Sequence, residues 1–495
     1  MDRRPLSAYF ISHMKRPALL HVYVACFPLL FAAALAAETG LVPTSSLLMP
    51  VAALNAVFVV AALMPVRGYV LVVSTICMAI AGFIALSYRV PFDAVAAAFN
   101  KSAGIIAFIA VVPAIAIPIR LGGYIDAMAA FVARGRATGS TKASSPNSGV
   151  RRLTNFMALA GIELLMAIAL NIGSIPTMQR LLDKSRLQKR YLSLVYSAGY
   201  SSSMVLSPFD GLVNALILAA GTTYVDFFMR GLAMTAAIMA AGCLLLLTDR
   251  KLAREETAVR EAGTQGTGSG ANAVDSGAAI GMIFAQPGRK ILELATHIVS
   301  MIAVSALALR LAKPDNPAVV TALVILAWSL LWTRLLGISW TRVLKSGSEY
   351  AAALAGFRTF LPFLVSAGFL GAMFAFTPLK SMLGGLLESM DGLPRYFTLQ
   401  AIILATALLS LAGVHMMISV AAIAAAIDPA ALGLSAPGFA LFLLTCWYVS
   451  MNVSPFVPFS AIVGEAIGEK PVTVALRYNV KMSLLMLVAA PLLIR

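Results

Sequence analysis

The chain has 495 residues, of which 60% are hydrophobic and 12% charged, and its formal net charge is +16 at pH 7. So few polar residues cannot cover the surface of a water-soluble globule, and the composition therefore indicates a polytopic membrane protein. The basic residues lie in short loops beside apolar stretches, and no basic patch is interleaved with aromatic residues. This pattern indicates cytoplasmic loops and excludes nucleic acid as an expected partner.

Apolar windows close to the roughly 20 residues that span a bilayer begin soon after the N-terminus. They cover 19–38, 45–65, 68–88 and 103–121. Basic residues ahead of the first window place the N-terminus in the cytoplasm. No small-residue cleavage site follows that window, so we interpret it as a retained first helix.

The next apolar stretch, 153–179, has basic residues on both sides. Arg151 and Arg152 precede it, and Arg180 and Lys184 follow it. A single crossing would place one of these flanks on the wrong side of the membrane, whereas a re-entrant hairpin keeps both in the cytoplasm. We therefore predict a hairpin that enters and leaves on the cytoplasmic side.

A longer apolar segment, 191–222, is interrupted by Ser207-Pro208. Proline has no backbone N–H to donate, so it forces a break in the helix. A return span is predicted at 226–248. Residues 249–289 then form a linker whose Gly-, Ser- and Thr-rich centre holds too few apolar residues to pack.

The second half repeats this plan. Its predicted elements are spans at 290–312, 317–337 and 357–379, a hairpin at 396–427, a broken helix at 438–468 and a last span at 472–494. The predicted units are an N-terminal segment and first helix at 1–44, a first repeat at 45–248, the linker at 249–289 and a second repeat at 290–495. The expected fold is all-α, with about 11 transmembrane helices and two oppositely oriented re-entrant hairpins. The C-terminus is expected outside.

One sequence pattern occurs twice, half a protein apart. Ser203–Phe209 reads Ser-Met-Val-Leu-Ser-Pro-Phe and Ser450–Phe456 reads Ser-Met-Asn-Val-Ser-Pro-Phe, at an offset of 454 − 207 = 247 residues. Irregular backbone is tolerated at membrane depth where it lines a polar cavity, and paired broken segments point to a binding site. An odd number of crossings separates the two units, so we predict inverted repeats.

The two stretches "SSSMVLSPFDGLVNALIL" and "YVSMNVSPFVPFSAIVGEAIG", together with this topology, resemble the ion transporter superfamily. That group includes divalent anion:sodium symporters, citrate–metal symporters and arsenite-efflux membrane subunits. The resemblance covers nearly the whole chain. It implies a secondary carrier, usually a homodimer, that moves a transport domain across the membrane in an elevator fashion. The expected location is a bacterial inner membrane.

The predicted hairpins align through Leu159-Ala-Gly-Ile-Glu163 and Leu411-Ala-Gly-Val-His415. Gly161 and Gly413 would then form the hairpin tips, where positive φ is often required. Ionisable residues inside a membrane are costly and are functional candidates by default. We therefore expect Glu163 and His415 to flank the transport site, and His415 in particular to bind a coupling proton. The alternative is a hydrogen-bonded pair that only fixes the hairpins.

Polar residues cluster around both breaks. The candidate substrate- or ion-binding residues there are Ser203, Ser207, Pro208, Asp210, Asn214, Ser450, Asn452, Ser454, Pro455 and Ser460, with Ser201 and Ser202 beside them. Hydroxyl and amide groups can satisfy the backbone freed at a break, and they can bind a carboxylate or coordinate an ion such as Na⁺ near Ser207 and Ser454. Helix N-termini aimed at the site favour an anion. For each serine, simple helix packing is the alternative interpretation.

Further candidates are weaker. Asn171, Ser174 and Pro176 lie in the second arm of the first hairpin. Arg230 and Arg477 match at the offset of 247 and are interpreted as snorkelling residues, with attraction of anions as the alternative.

The sequence therefore predicts a secondary active transporter for a small anionic organic solute, a carboxylate, coupled to Na⁺ or H⁺. The alternative is an inorganic ion antiporter, either Na⁺/H⁺ or an oxyanion exporter. A channel and a membrane-embedded enzyme are less favoured. Against the enzyme stands the absence of zinc, nucleotide-binding and catalytic motifs. Saturable counterflow without macroscopic current would distinguish a carrier from a channel. No metal or cofactor is expected beyond the coupling ion. Expected partners are the lipid bilayer, the transported solute or ion, and a second copy of the chain.

Overall fold

The computed structural model describes residues 17–64, 66, 69–137, 148–182, 187–249, 287–312, 314, 316–357, 361–390 and 392–494. Every regular element in these ranges is helical, and eight of the helices are long and apolar enough to cross a membrane. The predicted all-α polytopic membrane fold is confirmed. Most of the predicted linker and the basic N-terminal residues lie outside the described ranges.

The described part of the first half contains twelve α-helices. They are α1 (Pro17–Glu38), α2 (Thr44–Leu63), α3 (Tyr69–Ser87), α4 (Phe92–Asn100), α5 (Ala103–Val111), α6 (Ala116–Leu121), α7 (Tyr124–Ala137), α8 (Ser148–Leu170), α9 (Ser174–Leu182), α10 (Lys189–Leu206), α11 (Gly211–Ala219) and α12 (Tyr224–Thr248).

The described part of the second half contains twelve more. They are α13 (Pro287–Ala312), α14 (Pro317–Leu335), α15 (Trp340–Lys345), α16 (Gly347–Gly356), α17 (Leu361–Phe374), α18 (Leu379–Glu388), α19 (Arg395–Leu411), α20 (Met416–Ala426), α21 (Ala436–Val453), α22 (Pro458–Ile467), α23 (Pro471–Thr473) and α24 (Val480–Leu493). A π-helical turn, Val474–Asn479, joins α23 to α24.

The fourth predicted span is interrupted in the structure. A 3₁₀ turn at Val112–Ile115 separates α5 from α6 and contains Pro113, which cannot donate a backbone hydrogen bond. The Tyr350 hydroxyl donates to the carbonyl of Ala110 just ahead of this turn. A distant side chain thus satisfies backbone close to the interruption.

The short amphipathic segment after α6 is a helix of its own. Gly123 has φ of +74° and separates α6 from α7. The Tyr124 hydroxyl at the start of α7 donates to Glu293 Oε1 at 2.6 Å and accepts from Trp332 Nε1 at 3.1 Å. These two bonds fix α7 against α13 and α14. In the second half, the short helix α18 continues through Gly384-Gly385 without a break.

Helices α8 and α9 form hairpin 1, but its tip does not lie at Gly161. Gly161 is inside α8, and the turn is formed by Asn171–Gly173, where Asn171 has φ of +51°. The prediction for Gly161 is wrong because asparagine, whose short polar side chain bonds locally, also adopts this conformation. Here the Asn171 Oδ1 atom accepts from the next backbone N–H at 2.6 Å.

Helices α19 and α20 form hairpin 2. Gly413 lies in its turn with φ of +94°, as the sequence predicts. The tips at Asn171 and Gly413 are 413 − 171 = 242 residues apart, so the predicted alignment of Glu163 with His415, at an offset of 252, does not match the hairpin geometry. Glu163 lies inside α8, whereas His415 caps the start of α20.

Both Ser-Pro motifs break a helix. In the first half α10 ends at Leu206 and α11 begins at Gly211, while in the second half α21 ends at Val453 and α22 begins at Pro458. Each end and each start are offset by the same 247 residues as the sequence motif. The structure therefore repeats the break to the residue.

Contacts at both ends show that the two broken helices run antiparallel. Lys189 Nζ, at the start of α10, donates to Gly468 O at 2.8 Å and pairs with Glu469 Oε1 at 3.0 Å, just beyond the end of α22. On the other side Arg230 Nη2 on α12 donates to Ser435 Oγ, ahead of α21, at 3.3 Å. This is the orientation expected of inverted repeats.

The helices pack as two groups. The hairpin body comprises α8–α12 and α19–α24, in which both hairpins pack against the broken helices. The scaffold comprises α1–α5, α13, α14 and α17. Helix α17 packs against α3 on one side and against α20 of hairpin 2 on the other, so it forms a principal contact between the two groups.

Gly199 allows α10 to approach α8 closely. A Cβ atom at this position would lie 2.6 Å from Glu163 Cβ and 2.7 Å from the Ala160 carbonyl oxygen. We expect Gly199→Ala to lower the free energy of unfolding by about 1–3 kcal/mol, the range for overpacked cores. Thermal unfolding in detergent measures the change.

The matched control is Gly161→Ala in α8, where a Cβ atom meets nothing within 4 Å. Because Gly161 is helical, alanine should leave stability unchanged or raise it by up to about 1 kcal/mol. A destabilised Gly161→Ala protein would contradict the placement of the hairpin 1 tip at Asn171.

Candidate functional site

The tip of hairpin 1 is bonded to the first helix break. Asn171 Nδ2 donates to Asp210 Oδ2 at 3.3 Å, and the Tyr200 hydroxyl donates to Asn171 Oδ1 at 3.1 Å. Asp210 is half-buried and its Oδ1 atom accepts from Val213 N at 3.4 Å at the start of α11. The hairpin tip, α10 and the break thus meet at one carboxylate.

Tyr200 also connects this cluster to the second half of the chain. Its ring stacks on Phe459 of α22, with centroids 5.4 Å apart and an interplanar angle of 15°. Tyr200 is buried. The ring stacking of Tyr200 on Phe459 therefore joins α10, which leads into the first break, to α22, which follows the second break.

The second break is bonded to hairpin 2. Ser454 Oγ donates to the Ser410 carbonyl at 2.9 Å and accepts from Phe456 N at 3.4 Å. Its duplicate, Ser207 Oγ, accepts from Phe209 N at 3.1 Å in the same way. Both serine side chains are buried. Sequence analysis places the two serines correctly at the breaks but does not predict the contact with Ser410.

A polar side chain bonds back across each break. Asn214 Nδ2 on α11 donates to the Pro208 carbonyl at 2.6 Å, and Ser460 Oγ on α22 donates to the Ser454 carbonyl at 2.8 Å. In both cases the donor lies six residues after the acceptor. These bonds satisfy carbonyl groups freed by the interruption. Pro455 is half-buried at the second break.

Asn452 lies where the two broken helices cross. Its Oδ1 atom accepts from Ser197 Oγ at 2.6 Å, and its Nδ2 atom donates to the Tyr448 carbonyl at 3.0 Å and to Ser201 Oγ at 3.5 Å. The amide thus bonds the second broken helix to the first. Ser203 Oγ donates within its own helix to the Tyr200 carbonyl.

Two buried hydroxyl groups near the second break have no hydrogen-bond partner in the described structure. They belong to Ser410 and Ser450, which are 1% and 0% exposed. The adjacent N-terminus of α22 has no side-chain cap and begins with Pro458. Unpaired buried hydroxyls and an uncapped helix N-terminus are both features that suit a bound anion.

Glu163 is completely buried behind the tip of hairpin 1. Its Oε1 atom accepts from Ser174 Oγ, in the other arm, at 2.5 Å. Its Oε2 atom has no hydrogen-bond partner among the described residues. Helix α10 covers the side chain at Gly199.

His415 has different surroundings. Its Nδ1 atom accepts from Met417 N at 3.2 Å and so caps α20. Its ring packs on Phe363 of the scaffold helix α17, with centroids 4.0 Å apart, and on Trp447 of α21 at 6.1 Å. Glu163 lies within hairpin 1 and His415 at the contact between hairpin 2 and the scaffold. The expected role of His415 in proton binding stays a prediction.

The two matched arginines are not equivalent. Arg230 is half-buried and bonded to Ser435, whereas Arg477 is exposed in the π-helical turn. The bond to Ser435 fixes the Arg230 side chain within the hairpin body.

Sequence reasoning misses three residues of the site and undervalues two. Tyr200, Ser410 and Phe459 contact the breaks only through long-range packing, and a single sequence carries no signal for such pairs. Asn171 and Ser174 are weaker candidates by sequence, yet they bond Asp210 and Glu163. Within the described ranges no group of three His, Cys, Asp or Glu side chains could hold a metal ion.

The fold is similar to that of a solved membrane transporter. The YdaH transporter of Alcanivorax borkumensis superposes with a TM-score of 0.55 at 14% identity, over 86% of this chain and 97% of that chain. MtrF of Neisseria gonorrhoeae, described with a class of antimetabolite efflux pumps, gives a TM-score of 0.44 at 13% identity, over 79% of this chain and 82% of that chain. No family model and no curated protein matches the sequence. The likeness to YdaH shows a membrane transporter fold, and the resemblance to the ion transporter superfamily stays a prediction.

Proposed function

We propose that the protein is a secondary active transporter of the elevator type. It moves a small anionic organic solute, a carboxylate, together with Na⁺ or H⁺. The observation that carries the proposal is the pair of inverted Ser-Pro breaks, each hydrogen-bonded to a hairpin. Paired broken helices of this kind form binding sites in carriers that work by alternating access.

The second break supports an anionic solute. The uncapped N-terminus of α22 directs a partial positive charge toward it, and the hydroxyls of Ser410 and Ser450 are buried without partners. Ser454, at the break, donates to the carbonyl of Ser410 in hairpin 2. A carboxylate bound here would accept hydrogen bonds from these hydroxyls and from backbone N–H groups of α22.

The first break supports a coupling cation. The side chains there are acidic or neutral. Asp210 lies at the break, Asn171 bonds it from the tip of hairpin 1, and Glu163 lies behind that tip. This acidic character also favours the second candidate function, an inorganic ion antiporter. The two candidates share the cation site and differ in whether the second break binds an organic anion.

Thermal unfolding of the purified protein distinguishes them. A ligand that binds the folded state raises the unfolding midpoint by mass action. The panel contains mono-, di- and tricarboxylates and inorganic oxyanions, each in sodium and in potassium buffer. Stabilisation by a carboxylate supports the proposal, stabilisation by oxyanions alone supports an exporter, and stabilisation by sodium alone supports an antiporter. If no compound of the panel raises the unfolding midpoint, the proposal of an anionic solute is contradicted.

The duplication provides a matched pair of variants. Ser454→Ala removes the bond to the Ser410 carbonyl of hairpin 2, whereas Ser207→Ala removes only a bond within its own turn. Leaving a buried carbonyl unpaired costs about 1–3 kcal/mol. We expect Ser454→Ala to weaken the stabilising carboxylate by roughly tenfold or more, and Ser207→Ala to weaken it less. Equal losses would place the anion away from the second break.

The expectations of a homodimer and of a bacterial inner membrane belong to the same proposal. Analytical ultracentrifugation in detergent tests the dimer. A protein that is monomeric and still transports would contradict the expected homodimer.

A further inference from the structure

The carboxyl group of Glu163 lies between the two arms of hairpin 1 and helix α10. It is 0% exposed, Oε1 accepts from Ser174 Oγ at 2.5 Å, and Oε2 has no hydrogen-bond partner in the described structure. A Cβ atom at Gly199 would collide with the Glu163 stem, so α10 covers the group closely. The space around this carboxyl is buried and tightly packed.

The titratable groups that face Glu163 supply no positive charge. The phenols of Tyr196 and Tyr200 face it from α10, and Tyr200 lies between Glu163 and the second carboxyl group, Asp210. From α9 its bonded neighbour is the neutral hydroxyl of Ser174. Among the side chains that the structure describes, the cations on α8 and on the helices that touch it are Arg120, Arg152, Arg180, Lys189, Arg190 and Arg230. Among the described residues none of these forms an ion pair with Glu163.

An ionised carboxylate in such a position is very unfavourable. Burying a charge without a counter-charge and with one oxygen unbonded costs far more than one hydrogen bond returns. The neutral acid can donate its proton from Oε1 to Ser174 Oγ, 2.5 Å away, which leaves only an uncharged carbonyl oxygen without a partner. The packed form of hairpin 1 therefore fits a protonated Glu163, and an ionised Glu163 requires water or a cation to enter between the arms.

We propose that Glu163 is the proton-binding site of this carrier, and that proton occupancy closes hairpin 1. Binding converts the carboxylate to a neutral acid that packs beneath α10 and bonds Ser174. Release returns the proton to water when the arms of the hairpin separate. As a statement about coupling this rests on the proposed transport function, but the proton site itself does not depend on which solute is carried.

The pH dependence of unfolding tests the site without any solute. The folded protein holds the proton of Glu163, whereas the unfolded chain releases it above about pH 4.3. At a pH where the folded protein keeps this proton and the unfolded chain has lost it, raising the pH favours the unfolded chain. The contribution of Glu163 to the free energy of unfolding therefore falls as the pH rises through that range. Glu163→Gln keeps the shape of the neutral acid and removes this dependence. We expect its midpoint to match wild type below about pH 4 and to exceed wild type by a growing margin as the pH rises above that value.

Glu465→Gln is the matched control, because Glu465 is exposed on α22. It should follow wild type at every pH. If the difference between Glu163→Gln and wild type does not change with pH, the proposal is overturned. If adding sodium in alkaline buffer abolishes the difference in midpoint between Glu163→Gln and wild type, Glu163 binds a sodium ion. That result also overturns the proposal of a proton site.

A second measurement uses the wild-type protein and does not depend on a variant that folds. Apolar carbodiimides modify protonated carboxyl groups in apolar surroundings, and Glu163 is the only carboxyl residue between positions 148 and 182. Mass spectrometry of this segment should show modification at acidic and neutral pH and its loss in alkaline buffer. An unmodified segment at every pH contradicts the proposal. Because neither measurement contains a solute, failure of the carboxylate panel would leave these results unaffected.

Discussion

Asp249→Asn is expected to lower the free energy of unfolding by about 3–5 kcal/mol, the range for breaking a buried ion pair from one side. Asp249 Oδ2 pairs with Arg190 Nη2 at 2.6 Å and with Lys481 Nζ at 2.8 Å, and both Asp249 and Arg190 are buried. The three residues come from the end of α12, the start of α10 and the last helix, α24. One carboxylate thus joins both repeats inside the hairpin body.

Removing the negative charge leaves Arg190 buried beside a second cation. Lys481 is about half exposed and can turn toward water, whereas Arg190 cannot. The loss should therefore exceed that for an exposed pair. Glu469→Gln removes the charged partner of Lys189, whose side chain is about half exposed, and should cost only about 0–1 kcal/mol. Chemical unfolding of the two variants in the same detergent measures both values. Similar losses would contradict a structural role for the buried triad.

The duplicated breaks could be predicted from sequence because proline acts locally. Pro208 and Pro455 remove a donor wherever they lie within a helix, and the repeated motif showed that the interruption occurs twice at a fixed offset. The structure repeats that offset to the residue. The tip of hairpin 2 could be predicted for a similar reason, since Gly413 adopts a positive φ without strain.

The tip of hairpin 1 could not be predicted in this way. The shared Leu-Ala-Gly sequence suggested a turn at Gly161, but this glycine lies within a helix and the turn is made by Asn171. The pairing of Glu163 with His415 depended on the same alignment. The short motif match predicted equivalent positions for these two ionisable residues. In the structure Glu163 lies inside α8, whereas His415 caps α20, so the positions are not equivalent.

Contacts that define the candidate site depend on tertiary packing. Tyr200 reaches Asn171 from a helix that begins after the hairpin, and Ser454 reaches Ser410 across 44 residues. Nothing in the local sequence of either partner indicates the other. The residue types at the breaks were predictable, but the bonds that join the first break to Asn171 and the second break to Ser410 became visible only in the structure.

A disulfide bond between the scaffold and hairpin 2 is expected to abolish transport. A Cβ atom at Gly371 of α17 would lie 3.0 Å from Ala421 Cβ of α20. Disulfides join Cβ atoms about 3.5–4.5 Å apart, so a small adjustment allows the bond. In an elevator mechanism the hairpin body must move past α17, and this pair of positions must separate. The bond would hold the body in one position.

The control pair lies within the hairpin body. Ser193 Oγ on α10 donates to Asn479 Oδ1 in the π-helical turn at 2.8 Å, so these two positions are neighbours on elements that move together. Loss of free thiols on oxidation verifies that cysteines at both positions form the bond. Both pairs are made in a background in which the native cysteines, Cys26, Cys77, Cys243 and Cys446, are replaced. Because a reducing agent restores the free thiols, the oxidised form of each protein is compared with the reduced form of the same protein.

The most direct test of the account is counterflow of the stabilising carboxylate into proteoliposomes that contain the Gly371→Cys/Ala421→Cys protein, before and after oxidation. The account predicts that oxidation stops counterflow, that reduction restores it, and that the Ser193→Cys/Asn479→Cys protein transports in both states. Undiminished counterflow through the fully cross-linked Gly371→Cys/Ala421→Cys protein would show that the hairpin body does not move past the scaffold, and would contradict the elevator mechanism.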